Sequence, residues 1–327
     1  MQPHTQSAPA SLAAARARHD SDAFVPEPSE DFVLTPELED VCARANAYLD
    51  AGYPVHLAGP SGVGKSTLAF HLAAQLARPT ILLHGNHEMA SSDLVGANTG
   101  YRRSRVVDNY IHSVVKTHEE FKQVWVDNRL SKACREGYTL IYDEFNRTKP
   151  DANNVLLSVL EEGILSVPNR GGRGFVRVHP NFRAILTSNP AEYAGTHRTQ
   201  DALLDRVITI RLRTPALDTE VKIASERGQA PMAFANQVVA LVRHVRAIDP
   251  ATPWPSVRAS VALCELLYRP GRLRLSSKDT FARAVAHDVL LSGLAALGDD
   301  HVVDVAAQID AFIDANWRAT PSTRSSR

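Results

Sequence analysis

The feature that most constrains the fold is the stretch GPSGVGKS at residues 59–66. It follows a short apolar run, PVHLA, and precedes TLAFHLAAQLA, which has the composition of a helix. A loop of the form G-x-x-x-x-G-K-[ST] between a strand and a helix is typical of phosphate binding, because its backbone N–H groups can surround phosphate oxygens. An ordinary glycine-rich turn is the alternative, but such a turn does not require these flanking elements. The pattern therefore predicts an α/β fold that binds a nucleotide.

The residues of this loop have individual expected roles. Lys65 would place a positive charge beside the β- and γ-phosphates, and the Ser66 hydroxyl would be a ligand of Mg²⁺. The expected cofactors are therefore ATP and Mg²⁺. The predicted nucleotide-binding residues of the loop are Gly59, Pro60, Ser61, Gly62, Val63, Gly64, Lys65, Ser66 and Thr67.

Five short apolar runs alternate with helix-like stretches before Pro215. Strands that are covered on both faces of a parallel sheet have this pattern. The predicted strands are residues 54–58, 79–84, 139–142, 182–187 and 207–212. The expected fold class is α/β, with a parallel five-stranded sheet followed by a smaller all-α domain.

Beyond Pro215, apolar residues recur at helical spacing, which predicts helices with core-facing stripes. The first stripe is Phe234, Val238, Leu241, Val242 and Val245, and the second is Phe281, Val285, Val289 and Leu294. Both chain ends are rich in small, polar and charged residues and lack an apolar period. The predicted organisation is a flexible arm at 1–30, a nucleotide-binding domain at 31–215, a helical lid domain at 216–316 and a flexible tail at 317–327.

Two acidic residues, Asp143 and Glu144, end the apolar run TLIY. In proteins with a phosphate loop, an acidic residue at this place holds Mg²⁺, so Asp143 joins Ser66 as a predicted metal ligand. Glu144 could polarise the water that attacks the γ-phosphate. A solvated turn is the alternative for such a pair, and the phosphate loop upstream favours the catalytic interpretation.

Three further polar residues are candidates for the same site. Asn189 ends the next predicted strand, where its amide could orient the water, although Asn before Pro190 is also common in turns. Arg206 precedes the fifth strand and could reach a neighbouring subunit's γ-phosphate, with a surface salt bridge as the alternative. Arg258 begins a predicted helix and could contact the phosphates, which by itself is a weak signal.

Composition excludes several classes of protein. The 36 Lys and Arg residues balance 36 Asp and Glu residues, which counts against a basic surface for nucleic acid. No apolar run approaches the roughly 18 residues that cross a bilayer, and the first residues do not resemble a secretory signal. The cysteines, Cys42, Cys134 and Cys264, are too far apart for a metal-ligand motif. We therefore expect a cytoplasmic protein with free thiols, without membrane insertion or a specific nucleic acid.

The motifs GPSGVGKS, IYDEFNR, TSNP and LLDR, in this order, resemble the MoxR-like branch of AAA+ ATPases. The stretch ILSVPNRGGRGFVRVHP at 164–180 resembles the β-hairpin that this branch inserts before the strand of Asn189. Longer strings, including VVDNYIHSVVK and GYTLIYDEFNRTKPDANNVLLSVLEEGIL, resemble the gas vesicle protein N (GvpN) family more narrowly. The resemblance is dense over about residues 30–215 and loose in the helical remainder.

The resemblance implies a P-loop AAA+ domain and a role for each motif residue. Lys65 and Ser66 match Walker A, Asp143 and Glu144 match Walker B, and Asn189 matches sensor 1. Arg206 matches the arginine finger, with Arg198 as a second candidate, and Arg258 matches a sensor-2 position less securely. It also implies a homo-oligomer, expected to be a hexameric ring.

The leading hypothesis from this resemblance is an ATP-hydrolysing assembly or remodelling factor, a chaperone that acts on gas vesicle proteins through ATP-driven domain motion. Its clients would contact insert loops such as Ser91–Arg105 or the hairpin around Gly171. One alternative is a scaffolding component of the gas vesicle, switched by ATP with little turnover. Another is a MoxR-like activator of a metabolic enzyme. The protein would be cytoplasmic or associated with gas vesicles.

Overall fold

The computed structural model describes residues 22–28, 32–108, 116–167, 174–189, 201–249, 254–270, 275–293 and 299–317. Two compact units divide the chain. The sheet unit comprises Met1–Pro28, Ala45–Leu57 and Ala69–Ile210, and the helical unit comprises Ser29–Arg44, Ala58–Leu68 and Arg211–Arg327. Each unit is described by itself, because each has its own hydrophobic core.

A six-stranded sheet organises the sheet unit, with the strand order β1-β3-β6-β9-β2-β10. Its strands are β1 (Ala23–Phe24), β2 (Val55–Ala58), β3 (Thr80–His84), β6 (Thr139–Asp143), β9 (Arg183–Ser188) and β10 (Ile208–Arg211). Strands β3, β6 and β9 run parallel to one another. Their carboxyl ends therefore lie at one edge of the sheet.

All five predicted strands are present, with ends that differ by at most one residue from the expected ones. Every residue of β2 and β6 is buried, as expected where a parallel sheet is covered on both faces. Continuous apolar sequence therefore identified these strands correctly.

The sixth strand, β1, lies in the segment that was expected to be a flexible arm. Ala23 pairs with Ile81 and Phe24 with Thr80, antiparallel to β3. The Phe24 ring also contacts the Phe70 ring, with centroids 6.1 Å apart. A strand of two residues gives no periodic signal in the sequence, so composition alone predicted a flexible segment here. Pairing at the sheet edge and one aromatic contact give this segment a defined structure.

Two β-hairpins lie outside the main sheet. Strands β4 (Gly96–Asp108) and β5 (Lys116–Asp127) form one, so the segment expected to be an insert loop is the short helix Ser91–Val95 followed by a long strand. Strands β7 (Ile164–Ser166) and β8 (Phe175–Arg177) form the other, which confirms the predicted hairpin. The expected client-contacting residue Gly171 lies outside the described residues.

The helices that begin before Pro215 connect these strands. They are α1 (Pro36–Asp50), α2 (Lys65–Gln75), α3 (Ser91–Val95), α4 (Arg129–Glu136), α5 (Pro150–Asn153), α6 (Val155–Glu161) and α7 (Asp201–Leu204), and a 3-10 turn spans Phe145–Arg147.

After Pro215 the described chain forms helices only. They are α8 (Leu217–Arg227), α9 (Met232–Ile248), α10 (Val257–Leu267), α11 (Thr280–Leu291) and α12 (Asp299–Asn316). The first predicted stripe, which runs from Phe234 to Val245 along α9, is buried in the core of this unit. Helical periodicity therefore assigned the buried face of α9 correctly.

The second predicted stripe is wrong at its first residue. Phe281 is 59% exposed, whereas Ala282, Ala286 and Leu290 form the buried face of α11. Leu294 lies outside the described residues. Small alanines let α11 pack closely on its neighbours, and one residue of offset turns the buried face by about 100°. The larger apolar residues of the predicted stripe therefore do not mark the most buried face of α11.

The C-terminal helix ends against the core. Trp317, which the predicted boundary placed in the flexible tail, is buried, and its carbonyl accepts a hydrogen bond from the Ser277 N–H at 2.7 Å. The compact part thus reaches at least this residue. Within the described ranges, no helix combines the length and the apolar character that spanning a membrane would demand.

Candidate functional site

The phosphate loop connects the end of β2 to the start of α2 through tightly turned backbone. Gly62 has φ +74° and Gly64 has φ +90°, both in the left-handed region that favours glycine. A Cβ on Gly59 would lie 2.5 Å from the Leu212 carbonyl oxygen, so this position also admits only glycine. Conformation and close approach together explain the glycines that the sequence motif requires.

Lys65, the first residue of α2, is only 8% exposed. Its ammonium donates a hydrogen bond to the Pro60 carbonyl oxygen at 2.7 Å. The loop therefore curls around this positive charge, at a helix N-terminus whose backbone N–H groups favour anions. Ser66 and Thr67 follow in the same first turn, and this arrangement suits a phosphate group.

The start of α10 lies directly against the loop, within the helical unit. A Cβ on Gly62 would overlap the hydroxyl and Cβ of Ser256, the residue that precedes α10. Arg258, the predicted sensor-2 residue, is exposed two residues further on. The structure thus brings the first turn of the Arg258 helix next to the phosphate loop.

The buried carboxylate of Glu220 is connected by hydrogen bonds to the start of α10. The Glu220 side chain is 0% exposed and accepts hydrogen bonds from Arg246 at 2.9 and 3.0 Å, Arg243 at 3.0 Å and Ser260 at 2.8 Å. The Nε of Arg246 in turn donates to the Pro255 carbonyl oxygen at 2.7 Å. Glu220 is therefore linked through one arginine to the residue before Ser256.

Burial alone would raise the pKa of the Glu220 carboxyl. Hydrogen bonds and charge from Arg246, with hydrogen bonds from Ser260 and Arg243, outweigh burial and hold this pKa below its ordinary value. The carboxylate is therefore the form that the folded helical unit favours.

In the sheet unit, Asp143 and Glu144 lie at the carboxyl end of β6. The Thr187 hydroxyl accepts a hydrogen bond from the Glu144 N–H at 2.9 Å and donates one to Asp143 Oδ1. One hydroxyl from β9 thus positions both members of the acidic pair. Asp143 is buried, and the His84 ring nitrogen lies 3.7 Å from its other oxygen.

Glu144 has φ +53° and ψ +40°, a left-handed conformation that costs an ordinary residue about 1–2 kcal/mol. A Cβ on Gly85, the residue after β3, would overlap the Glu144 carbonyl oxygen, so this position requires glycine. Such backbone strain is concentrated at functional sites. It directs the Glu144 side chain away from the path that a regular turn would give it.

Arg147 holds the Glu144 carboxylate through an ion pair of 2.8 Å. The 3-10 turn brings the two residues together, and the only sequence signal for this contact was their spacing of three. Sequence reasoning missed Arg147 because the turn itself was not predicted.

Asn189 follows β9 and is buried beside the same edge of the sheet. Its carbonyl oxygen accepts a hydrogen bond from Asn146 Nδ2 at 3.1 Å, which ties it to the turn after Glu144. The structure therefore brings Asp143, Glu144 and Asn189 together, as the order of parallel strands predicted.

Sequence reasoning also missed a histidine in this sheet. His56 of β2 is buried, and its ring nitrogens lie 2.8 Å from the Ser188 hydroxyl and 3.0 Å from the Thr209 hydroxyl. A histidine inside an apolar strand carries no motif, so only the sheet order reveals that it links the strands of Asn189 and Arg206.

Arg206 lies between α7 and β10, where it forms an ion pair with Glu161 of the same chain. The second finger candidate, Arg198, lies outside the described residues.

Oxygen ligands from Ser66 and Asp143 suit a hard cation such as Mg²⁺. No group of three or more His, Cys, Asp and Glu side chains that could hold a metal occurs among the residues that the structure describes. Proteins usually hold Mg²⁺ with one or two side chains, substrate phosphates and water, so the residues present fit a Mg²⁺ that arrives with a nucleotide.

Comparison with known proteins gives a consistent picture. A family model for the AAA domain of the dynein-related subfamily matches residues 54–207. The gas vesicle ATPase GvpN of Ancylobacter aquaticus is 46% identical over 245 residues, which cover 75% of this chain and 69% of that protein. GvpN1 of Halobacterium salinarum is 47% identical over 229 residues, which cover 70% of this chain and 65% of that protein.

GvpN of Haloferax mediterranei is 40% identical over 294 residues, which cover 89% of this chain and 82% of that protein. Identity of this level extends over more than two thirds of the Ancylobacter and Haloferax proteins. The chain belongs to the GvpN family of gas vesicle ATPases.

Proposed function

We propose that this ATPase is an assembly or remodelling factor for gas vesicles and works as a homo-oligomeric ring, expected to be a hexamer. The observation that carries the proposal is the hydroxyl bridge through which Thr187 positions both Asp143 and Glu144 beside Asn189. A protein that used ATP only as a static clamp would have no need to orient a carboxylate for attack by water.

The phosphate loop binds the nucleotide through the amides of residues 59–67 and the Lys65 ammonium. Ser66 and Asp143 would hold Mg²⁺, which would offset the negative charge of the phosphates. Arg258 contributes a second positive charge from the start of α10. The nucleotide-binding domain comprises residues 31–215 together with the edge strand β1, and the lid domain runs from residue 216 to at least Trp317.

Glu144 acts as the general base that polarises the attacking water, and Asn189 orients that water. Arg206 reaches the γ-phosphate held by a neighbouring subunit, where a guanidinium stabilises the charge of the transition state. Turnover therefore requires a base from one subunit and an arginine from the next.

The names of the relatives support gas vesicle proteins as the clients. The hairpins β4–β5 and β7–β8 are the client-contacting elements. The protein works in the cytoplasm or at the vesicle, and ATP-driven domain motion changes the position of these hairpins.

A mixed-subunit assay tests the shared site. Glu144→Gln lacks the base but keeps the arginine, whereas Arg206→Ala keeps the base but lacks the arginine. Each variant alone should be inactive. An equimolar mixture should recover about a quarter of wild-type turnover, since half of the sites keep a base and half of those face an intact arginine. A mixture as inactive as its components would contradict the proposal.

A further inference from the structure

Each nitrogen atom of the Arg206 guanidinium donates a hydrogen bond within its own chain. Its Nε donates to Glu161 Oε2 at 2.7 Å, its Nη2 donates to the same oxygen, and its Nη1 donates to the Ala202 carbonyl oxygen at 2.5 Å. All three nitrogen atoms of the group therefore have a partner in the protomer. In this conformation Glu161 occupies the Nε–Nη2 edge of the guanidinium, so that edge cannot also bind a phosphate in a bidentate manner.

The position of Glu161 is unfavourable for the helix that carries it. Glu161 is the last residue of α6, and the C-terminus of a helix is the negative end of its dipole. A carboxylate at this end does not stabilise α6, and Glu162 adds a second one. Helix stability therefore does not explain a carboxylate at this position, whereas the ion pair with Arg206 does.

The pair is also accessible. The side chain of Arg206 is 25% exposed and that of Glu161 is 55% exposed. An ion pair at such exposure is weak and reversible, because water and salt compete with it. A phosphate with two or more negative charges can therefore displace the carboxylate.

We propose that Glu161 is a positioning residue that holds Arg206 in the free protomer and releases it to a neighbouring subunit's γ-phosphate. The release is an exchange of anions at one guanidinium, carboxylate for phosphate, and no covalent bond forms or breaks. The inference rests on the proposed role of Arg206 in trans, and it adds the residue that regulates this role.

Glu161 also lies close to the β7–β8 hairpin. Gly163, with φ +66°, turns the chain from α6 into β7, which begins at Ile164. Arginine release would therefore free Glu161, which lies at the helix end just before the hairpin. The exchange links the state of the neighbouring nucleotide to a proposed client-contacting element.

The expected effect of removing the carboxylate follows from the exposure of the pair. Exposed ion pairs stabilise by amounts that correspond to about two- to fivefold in an equilibrium constant. In Glu161→Gln, the protein concentration for half-maximal ATP turnover should fall by about this factor. Turnover at saturating protein and KM for ATP should stay close to wild type, which a merely structural defect would not achieve.

Glu162→Gln is the matched control, because it removes the same charge from the same helix end. It should behave as wild type. Glu161→Asp, which keeps the charge but shortens the side chain, should give a smaller shift in the same direction and serves if Glu161→Gln folds poorly. The shift should also shrink at high salt, where the ion pair of the wild type is already screened.

Two outcomes would overturn the inference: an unchanged or higher half-maximal concentration for Glu161→Gln, or an equal fall for Glu162→Gln. The double variant Glu161→Gln/Arg206→Ala should show no gain over Arg206→Ala. If Arg206→Ala itself turns over as fast as wild type, the proposed trans arginine fails instead, so the two failures are distinguishable.

Discussion

At the scale of single residues, Glu144 combines a strained backbone with a held side chain. The Thr187 hydroxyl fixes its N–H, and Arg147 holds its carboxylate. The backbone cannot relax without loss of the hydrogen bond to Thr187, so the site keeps the base in one place. This arrangement suits a residue whose task is to position one water molecule.

Replacement of Glu144 by Gln should separate binding from chemistry. The variant should bind ATP with nearly wild-type affinity, because the phosphate loop is unchanged, and should lose about 100- to 10,000-fold in turnover, the usual contribution of a general base. Nucleotide titration and a phosphate-release assay measure the two quantities. Glu162→Gln controls for charge, and near-normal turnover by Glu144→Gln would contradict the assigned role.

Gly62→Ala should disturb the phosphate loop in two ways, through its positive φ and through overlap with Ser256. We expect it to weaken ATP binding at least tenfold, or about 1.4 kcal/mol. Gly52→Ala is the matched control, since Gly52 has φ +91° with no atom within 4 Å of the added Cβ. It should cost about 1 kcal/mol of unfolding free energy and leave affinity unchanged.

Ser256→Gly should partly restore ATP binding to Gly62→Ala, because it removes the overlapping atoms while the backbone strain remains. Isothermal titration of the single and double variants measures this coupling. Equal affinities for Gly62→Ala and the double variant would show that Ser256 does not limit the loop.

The site residues at the ends of strands were predicted from the sequence. The residues whose hydrogen bonds and ion pairs position them were not. Asp143, Glu144 and Asn189 were predicted because polar residues after buried strands meet at one sheet edge. No role was predicted for Thr187 or for Arg147. Their roles depend on side-chain direction and on a 3-10 turn, and a pattern of apolar residues specifies neither.

At the scale of elements, a buried ion-pair network holds α8, α9 and α10 together. Glu220 of α8 contacts arginines of α9 and a serine of α10. A buried carboxylate with such partners is costly to break, since removal of one charge leaves the others uncompensated. The helix start beside the phosphate loop thus depends on a charge network rather than on apolar packing alone.

Glu220→Gln should lower the unfolding free energy by about 3–5 kcal/mol at neutral pH. The folded pKa of Glu220 lies below its ordinary value of 4.5. Its ionised form therefore stabilises the fold above pH 4.5, and this stabilisation is lost as the pH falls through the folded pKa. Denaturant unfolding between about pH 6 and pH 3 should show a smaller loss for the variant than for wild type.

The exposed Glu265 on α10 provides the control. Glu265→Gln should leave both the unfolding free energy and its pH dependence close to wild type. Parallel pH curves for wild type and Glu220→Gln would contradict the role of the Glu220 carboxylate.

Helix faces were predicted where large apolar residues mark the core, as in α9, and were wrong where alanines do. In α11 the buried face contains Ala282 and Ala286. Alanine permits close helix packing, but it contributes little to a hydrophobic pattern because it is only weakly apolar. The β4–β5 hairpin was missed for a related reason, because its sequence lacks alternating apolar and polar residues.

At the scale of the whole molecule, each unit contains a buried cysteine whose reactivity measures how well the core of that unit is packed. Burial raises the pKa of Cys134 in the sheet unit and of Cys264 in the helical unit to about 12 in both cases. Burial, with the charge of Glu39, also raises the pKa of Cys42. Thiolates are therefore scarce at neutral pH in the folded state.

A thiol-specific reagent should not modify Cys134 or Cys264 in the folded protein at neutral pH, and all three cysteines should react in denaturant. Mass spectrometry of peptides identifies the modified residues, and Cys134→Ser and Cys264→Ser check the assignment. Rapid modification of either residue without denaturant would contradict the packing of that unit.

The fold class followed from the phosphate loop and the apolar strands, which dictate a parallel sheet almost independently of the remaining sequence. The edge strand β1 and the buried Trp317 were not predictable, because both depend on contacts with residues far away in the chain. Short elements of this kind are specified by the assembled core.

The most direct measurement is vesicle formation in a gas-vesicle-producing host that lacks this protein. Wild type, Glu144→Gln and the control Glu162→Gln are supplied at equal levels, and vesicles are scored by flotation and electron microscopy. We expect wild type and Glu162→Gln to restore vesicles and Glu144→Gln to fail, since the proposed function requires hydrolysis for assembly. Equal rescue by Glu144→Gln would contradict this and assign ATP the role of a structural switch.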